Sequence, residues 1–174
     1  MTAPRNRRPA TEAEARALAS ALRLRILRLC LDRALTNREL ARLLGANPAT
    51  MLHHVRTLLE TGFLEAQPVR RGPRGSREVP YRATGKSWNL SVHDGPSPSR
   101  ALVDAFLQEI EGVDLDRTYQ VRLGLRLTET EHTSLIERLN DVIQEYAARP
   151  LSSEGRAYAL YLNLHEDPTR DAPA

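Results

Sequence analysis

The sequence contains little of what several protein classes require. Its single cysteine, Cys30, cannot form a disulfide within the 174-residue chain. It has no run of about eighteen apolar residues, so we expect no membrane span and no membrane partner. The basic N-terminus, MTAPRNRRPA, is not followed by an apolar core and so does not predict a secretory signal. These absences favour a cytoplasmic globular protein.

Acidic residues are scarce in the first half of the chain. Residues 1–90 hold 17 Lys or Arg against 7 Asp or Glu, a balance of +10. Residues 91–174 hold 8 against 15, a balance of −7. A basic module joined to an acidic one predicts a polyanionic partner for the first half only.

Motifs of common enzymes and metal sites are also missing. The sequence has no G-x-S-x-G, no P-loop, no G-x-G-x-x-G after a strand and no H-E-x-x-H. His53 and His54 are adjacent, so on a helix they point about 100° apart and cannot readily chelate one ion. We therefore expect a protein that is not an enzyme and that carries no metal or other cofactor.

Helical periodicity dominates the first third of the chain. Apolar residues at three- and four-residue steps predict helices over about 11–19 and 21–32, with a break near Ser20. Residues 1–10 have few apolar side chains and two prolines, which predicts a disordered N-terminus.

A helix, a tight turn and a second helix follow. Thr36 and Glu39 form a T-x-x-E capping box, and Gly45 supplies a left-handed C-cap. Asn47 is a good N-cap for the next helix, which ends at Gly62. A three-residue turn with a glycine between two such helices is typical of a helix-turn-helix.

A projecting hairpin is predicted directly after the second helix. Two β-like runs, 63–69 and 77–83, flank the loop RRGPRGS. Pro68 and Pro80 should restrict these strands to an edge position. The hairpin over 63–83 is the candidate wing of a winged helix.

The rest of the chain predicts a second, smaller domain. Residues 91–99 have the composition of a linker, so we place the winged helix at 11–90 and the second domain at 100–174. Apolar residues alternate along 118–128 and 156–166, which predicts two strands that each bury one face. With a helix before each strand, the fold class is α+β, with a C-terminal αβαβ unit.

Two roles remain open for the C-terminal domain. Two strands are too small a sheet to stand alone, so pairing with the strands of a partner would make it a dimerisation module. Alternatively, the domain binds a small-molecule effector that biases the DNA-binding shape. The sequence shows no convergent polar residues that would define such an effector.

The outward stripe of the second helix has the chemistry of a DNA-reading surface. His53 and Arg56 can donate hydrogen bonds to base edges or phosphates, and Ala49 and Leu52 can meet thymine methyl groups. This predicts that the helix over 47–61 lies in the major groove of double-stranded DNA.

Further polar and basic residues on either side of this helix are candidates for phosphate contacts. Free backbone N–H groups and side chains at the start of the preceding helix could anchor phosphates, as could arginines on a glycine-rich hairpin. The candidates are Thr36, Asn37 and Arg38 on the helix, and Arg70, Arg71, Arg74 and Arg77 on the hairpin.

Together these segments resemble a known family. ALRLRILRLCL, TNRELARLLG, NPATMLHHVRTLLETGFL and the arginine-rich hairpin are similar to the winged-helix domain of ArsR-type bacterial transcriptional repressors, over about residues 11–84. The resemblance implies a homodimer whose second helix reads a pseudo-palindromic operator and whose hairpin is the wing. Carried over by position, the reading helix contributes Pro48, Ala49, Leu52, His53 and Arg56.

One departure from the family limits the analogy. Metal-sensing members carry paired cysteines in the helix before the reading helix, and TNRELARLLG has none. The resemblance therefore does not extend to thiolate metal sensing. Two other functions stay open: a winged helix that docks an acidic protein instead of DNA, and an enzyme with a site in the C-terminal domain.

Overall fold

The computed structural model describes residues 7–72, 75–91, 98–150 and 154–170. It begins with two helices, α1 (Glu12–Leu18) and α2 (Ala21–Leu29). The hydroxyl of Ser20 accepts a hydrogen bond from the backbone N–H of Arg23 and so caps α2. The predicted break between two helices is confirmed.

The next two helices, α3 (Asn37–Leu43) and α4 (Pro48–Glu60), form the predicted helix-turn-helix. Both residues of the capping box bond as expected, because Thr36 accepts from the N–H of Glu39 and the Glu39 carboxylate accepts from the N–H of Thr36. Gly45 has a φ of +61°, a left-handed conformation that glycine adopts without strain. The turn is therefore built by local sequence.

A three-stranded antiparallel sheet follows α4 in the order β2 (Leu35–Thr36), β6 (Pro80–Ala83), β3 (Leu64–Ala66). The hairpin continues outward through a second pair, β4 (Arg70–Arg71) and β5 (Arg77–Glu78). The expectation that both strands lie at an edge is wrong for β6, which is central. Pro80 is accommodated there because it is the first residue of its strand.

One hydrophobic core joins α2, α3, α4 and the sheet. Its members share nearly complete burial and include Ile26, Leu27, Cys30, Leu40, Met51, Val55, Leu58, Phe63 and Leu64. Cys30 is a core residue, and burial raises the pKa of its thiol to about 11. The thiol is therefore protonated at neutral pH and unreactive.

The N-terminal segment corrects one expectation, because residues 7–10 are ordered. Strand β1 (Arg8–Pro9) pairs in parallel with β7 (Leu90–Ser91), which follows a 3₁₀ turn at Lys86–Asn89. The ordering has an electrostatic cause. Arg8 donates two hydrogen bonds to the buried carboxylate of Glu14, and the ammonium of Lys86 lies 2.7 Å from it.

Two further helices follow the winged helix, α5 (Ser99–Ile110) and α6 (Glu129–Ala147). Helix α5 packs on α2 and buries its small residues Ala101 and Ala105, whereas Leu102 and Leu107 stay exposed. Small residues therefore form the part of α5 that is buried most completely. A capping box of Thr128 and Glu131 begins α6.

The two strands predicted in the C-terminal domain are not formed. The described residues of 118–128 and 156–166 belong to no sheet, and their apolar side chains are exposed. Among the residues that the structure describes, neither segment pairs with a second strand. Of the predicted αβαβ unit, the described residues form the two helices but not the two strands.

No helix in the described part of the chain is long and apolar enough to cross a membrane.

Replacing Glu14 by Gln should destabilise the N-terminal domain. The hydrogen bonds from Arg8, with help from Lys86 and the N–H of Thr11, hold the pKa of this carboxyl well below its usual range. We expect a Tm lower by about 5 °C, because hydrogen bonds to a buried charge are lost. The thermal unfolding transition is monitored by the fluorescence emission of Trp88, the single tryptophan.

The matched control is Glu12→Gln, on the exposed side of the same helix. Because the folded pKa of Glu14 is lowered, its stabilisation is complete above the unfolded pKa of about 4.3 and is lost as pH falls below that value. The Tm difference between the wild type and Glu14→Gln should therefore shrink below about pH 4. Equal Tm values for the two variants at pH 7 would contradict this account.

Candidate nucleic-acid interface

The orientation of α4 is set by its buried side. Met51, Val55 and Leu58 are fully buried, and their spacing of four and three residues puts them on one face. The side chains exposed on the other face are Pro48, Ala49, Thr50, His53 and Arg56, with Leu52 half-buried at its border. The predicted outward stripe therefore faces solvent, except that Leu52 is partly covered.

The N-terminus of α4 leaves one backbone donor open among the described residues. Pro48 has no N–H, and the N–H of Ala49 donates to the side chain of Asn47 at 2.8 Å. The N–H of Met51 donates to the carbonyl of Asn47. The N–H of Thr50 is left available at the positive end of the helix dipole, where an anionic oxygen is favoured.

The start of α3 differs from the prediction at Thr36. This side chain is buried and is occupied by the capping box, so it positions α3 and does not present a hydroxyl to a ligand. Asn37 donates from Nδ2 to the carbonyl of Pro48 at 2.9 Å and so ties α3 to the first residue of α4. Its Oδ1 is buried and has no partner among the described residues.

His54 lies on the inner side of α4, away from the exposed stripe. Its Nδ1 is 3.4 Å from the guanidinium of Arg23, which also donates to the carbonyls of Arg16 and Ala17 at the end of α1. Burial and the nearby charge of Arg23 lower the pKa of His54. A neutral imidazole accepting from Arg23 makes His54 a structural link between helices.

A groove lined by arginines lies between α3 and the wing. We call it the α3–wing groove; its volume is about 550 Å³. Its lining residues are Arg38, Glu39, Arg42, Arg70, Arg71, Gly72 and Glu78. A Cβ at Gly72 would lie 2.5 Å from the carboxyl carbon of Glu78, so the Glu78 side chain would have to move to admit one. The wing therefore bends closely around this carboxylate.

Two ion pairs of opposite polarity cross the groove. Arg70 donates to both oxygens of Glu39 at 2.6 Å, and Arg38 lies 3.7 Å from Glu78. The pKa of Glu39 is lowered, first by the N–H of Thr36 and further by Arg70. Glu39 thus caps α3 and also holds strand β4 of the wing through Arg70.

Two arginines of the groove have no ion-pair partner among the described residues. Among the described residues, no ion pair within the chain engages Arg42 or Arg71, and both are exposed. Arg77 is also exposed, on strand β5. Arg74, a predicted wing contact, lies outside the described residues. The exposed cations nearest to α3 therefore come from both the helix and the wing.

Sequence reasoning missed two residues of this surface. Thr50 sits in the first turn of α4, where its exposure follows from being one residue away from the buried Met51. Arg42 lies one turn after Arg38 on α3, and this four-residue spacing was the available signal. No three His, Cys, Asp or Glu side chains in the described ranges come together as a metal site.

Residues 20–66 match the model of the bacterial regulatory protein family named arsR. The match spans α2, the helix-turn-helix and the first wing strand, which confirms the ArsR-type resemblance over that segment. No curated protein matches the chain. The segment 20–66 is therefore similar to the helix-turn-helix region of this family of bacterial regulatory proteins.

Among solved structures, similarity is found to a homodimeric winged helix-turn-helix DNA-binding domain from Mycobacterium bovis, described as a possible ArsR-family transcriptional regulator. It is 24% identical, with 62% of this chain and 82% of that chain covered and a TM-score of 0.34. The transcriptional regulator SlyA is 17% identical, with 72% and 74% covered and a TM-score of 0.33. Both scores are low, so the similarity to the arsR family is carried by the match over residues 20–66 alone.

Replacing Glu39 by Gln should release the wing from α3. Glutamine still fits a capping box, but it cannot form the charged contact with Arg70. We expect trypsin to cleave after Arg70 and Arg71 at least about threefold faster, because more open wing conformations become populated. Cleavage is followed by mass spectrometry of the fragments under native conditions.

Glu65→Gln is the matched control, since it removes the same charge from the exposed side of β3. Its cleavage rate should equal that of the wild type. If Glu39→Gln and Glu65→Gln were cut equally slowly, the Glu39–Arg70 contact would not be what holds the wing.

Proposed function

We propose that this ArsR-type helix-turn-helix makes the protein a sequence-specific transcriptional regulator that acts as a homodimer. In this proposal α4 lies in the major groove of an operator, and the hairpin over 63–83 contacts the DNA backbone as the wing. The single observation that supports it best is the exposed face of α4 beside the α3–wing groove, which joins base-reading and phosphate-binding chemistry on one surface.

Base reading is proposed for the exposed side chains of α4. A helix-turn-helix sends the N-terminal part of its second helix toward the bases. Arg56 and His53 can donate to base edges, and Ala49 is small enough to allow close approach. The methyl group of Thr50 and its free N–H add one contact to a base and one to a phosphate.

Phosphate binding is proposed for the arginines of the groove and wing. Arg42 and Arg71 have no ion pair in the described structure to break, so they can neutralise phosphates at low cost. Arg38 and Arg70 each form an ion pair with a glutamate. The pairing orients the guanidinium group, but the glutamate offsets its positive charge toward a phosphate. We therefore assign backbone contact first to Arg42, Arg71 and Arg77.

A homodimer is proposed because one helix reads only a short stretch of sequence. Two copies related by a two-fold axis would place their α4 helices about 34 Å apart, which is roughly 10 bp along B-DNA. The operator is then a pseudo-palindrome. Binding to such a site excludes other proteins from it, so we propose repression as the outcome.

The rival function is a winged helix that docks an acidic protein. It predicts equal affinity for all duplexes of one length, whereas the proposed function predicts a preference. A genomic selection of bound duplexes, followed by titration of the selected and of scrambled DNA at several salt concentrations, separates the two. Enrichment of no sequence above background would overturn the proposed function.

Arg56→Ala should weaken binding to the selected operator by about 10- to 100-fold and reduce the preference over scrambled DNA. Arg71→Ala should weaken binding to both duplexes alike, and the slope of log affinity against log salt should fall by about 1. The measurement is fluorescence anisotropy of labelled duplexes.

Arg100→Ala is the control for loss of one positive charge. Arg100 lies on α5, is highly exposed and, in the described part of the chain, forms an ion pair with Asp104 four residues along. Its operator affinity should stay within about twofold of the wild type, because an isolated surface charge far from DNA is screened. Indistinguishable effects of Arg56→Ala and Arg71→Ala on the two duplexes would refute the assigned roles.

A further inference from the structure

Two charged pairs join α3 to the wing, and they differ in strength. Arg70 and Glu78 lie directly opposite each other on strands β4 and β5, so their side chains share one face of the hairpin. On α3, Glu39 accepts two hydrogen bonds from Arg70 at 2.6 Å. The second pair is looser, because Nη1 of Arg38 lies 3.7 Å from Oε1 of Glu78.

The contact between Arg38 and Glu78 offsets charge without forming a hydrogen bond. Charge-assisted N–H···O bonds are about 2.7–2.9 Å long, which is clearly shorter than this contact. In the part of the chain that the structure describes, no other residue accepts a hydrogen bond from the Arg38 side chain. The guanidinium group of Arg38 is therefore held by attraction alone, and its donors are available to another acceptor.

Within this pair the carboxylate is confined and the guanidinium group is exposed. The side chain of Glu78 is 16% exposed, whereas that of Arg38 is 65% exposed. The wing loop closes beside the carboxylate, because the N–H of Gly72 donates to the carbonyl of Ser76 and a Cβ at Gly72 would lie 2.5 Å from the carboxyl carbon. Arg38 can therefore turn toward an incoming anion while Glu78 stays in the wing.

Among the four arginines that line the α3–wing groove, Arg38 is in an intermediate state. Arg42 and Arg71 form no ion pair with another described residue, and both are exposed. Arg70 is fixed by two hydrogen bonds to the carboxylate that caps α3. Arg38 is exposed like the first two, but it has a carboxylate beside it like the third. Glu78 therefore determines how much positive charge Arg38 presents.

We propose that Glu78 stands in for a phosphate in the unbound protein, and that a phosphate of bound duplex DNA takes Arg38 over from it. The carboxylate thereby lowers the affinity of the groove for a DNA backbone of any sequence. This inference rests on the proposed function for the identity of the polyanion. It adds a residue that regulates how tightly the same surface binds DNA.

A phosphate can replace Glu78 because it makes stronger contacts with Arg38. A guanidinium group binds a phosphate through two parallel hydrogen bonds, whereas Glu78 accepts none from it. Neutralising a phosphate of duplex DNA also releases condensed counterions, which favours the exchange at low salt. The exchange loses only the attraction of a partly exposed ion pair, which is weak in water. DNA is therefore favoured, but with a lower affinity than Arg38 alone would give.

A double-mutant cycle of Arg38→Ala and Glu78→Gln in the full chain tests the exchange. The measurement is fluorescence anisotropy of a labelled, scrambled duplex at about 0.1 M salt, where phosphate contacts still contribute strongly. Glu78→Gln alone should raise the affinity about three- to fivefold, because Arg38 no longer gives up an ion pair on binding. In the Arg38→Ala background the same change should alter the affinity less than about 1.5-fold, because no arginine is left to release.

Glu65→Gln is the matched control, since it removes the same charge from strand β3 of the same hairpin, where no described residue forms an ion pair with it. Its affinity should stay within about 1.5-fold of the wild type, because salt screens a single distant charge. An equal rise for Glu65→Gln and Glu78→Gln would show a general effect of net charge and overturn the proposal. A rise from Glu78→Gln that persists in full without Arg38, or no rise at all, would overturn it as well.

A second comparison leaves the partly buried Glu78 unchanged. Arg38 and Arg42 are exposed one turn apart on α3, so replacing either by Ala should preserve the fold, and the emission of Trp88 must match the wild type. Arg42→Ala should lower the affinity about tenfold at 0.1 M salt, as expected for one lost phosphate contact. Arg38→Ala should lower it only about two- to threefold, because the loss is partly offset by the ion pair that no longer breaks. Equal losses from the two variants would contradict the exchange.

Sequence preference separates this inference from the proposed function. Coupling between Arg38 and Glu78 on scrambled DNA, without preference for any selected duplex, would support the inference and overturn the proposed function alone. Preference for a selected duplex without this coupling would overturn the inference alone.

Discussion

The burial of one face of α4 is the constraint on which the rest of the structure depends. Met51, Val55 and Leu58 lie in the core, and a helix is rigid, so fixing these three positions also fixes the direction of Ala49, His53 and Arg56. Turning α4 by one residue would bring polar groups into the core and expose the apolar ones, at a cost of several kcal/mol. The outward stripe is therefore a consequence of packing, and no separate interaction is needed to present it.

Helices and their caps could be predicted from sequence because both are determined locally. The capping box of Thr36 and Glu39, the Asn47 cap and the left-handed Gly45 each depend on residues within four positions. Contacts between distant residues could not be predicted in this way. The Arg70–Glu39 pair joins residues 31 apart, and nothing in either local sequence indicates the partner.

The difference between local and distant contacts also explains which parts of the candidate site could be predicted from sequence. Its helical part was predictable, because the exposed residues are those left over once the buried period is known. Thr36 was assigned incorrectly because a hydroxyl that caps a helix and a hydroxyl that binds phosphate look alike in sequence. The ordered segment 7–10 was missed for a related reason. Its partners, Glu14 and Lys86, become neighbours only after the domain folds.

The C-terminal segments show what a period of two can and cannot determine. Alternation predicts that one face of a strand needs cover, and this holds for 118–128 and 156–166 whichever molecule supplies the cover. The alternating pattern does not indicate whether the partner strand belongs to the same chain. In the described part of the chain neither segment pairs with a strand; Tyr161 stacks on Phe106, and Arg170 donates to the carbonyl of Leu125. Pairing between distant segments depends on tertiary contacts that a local period does not encode, which is why the helices of this half could be predicted from sequence and its strand pairing could not.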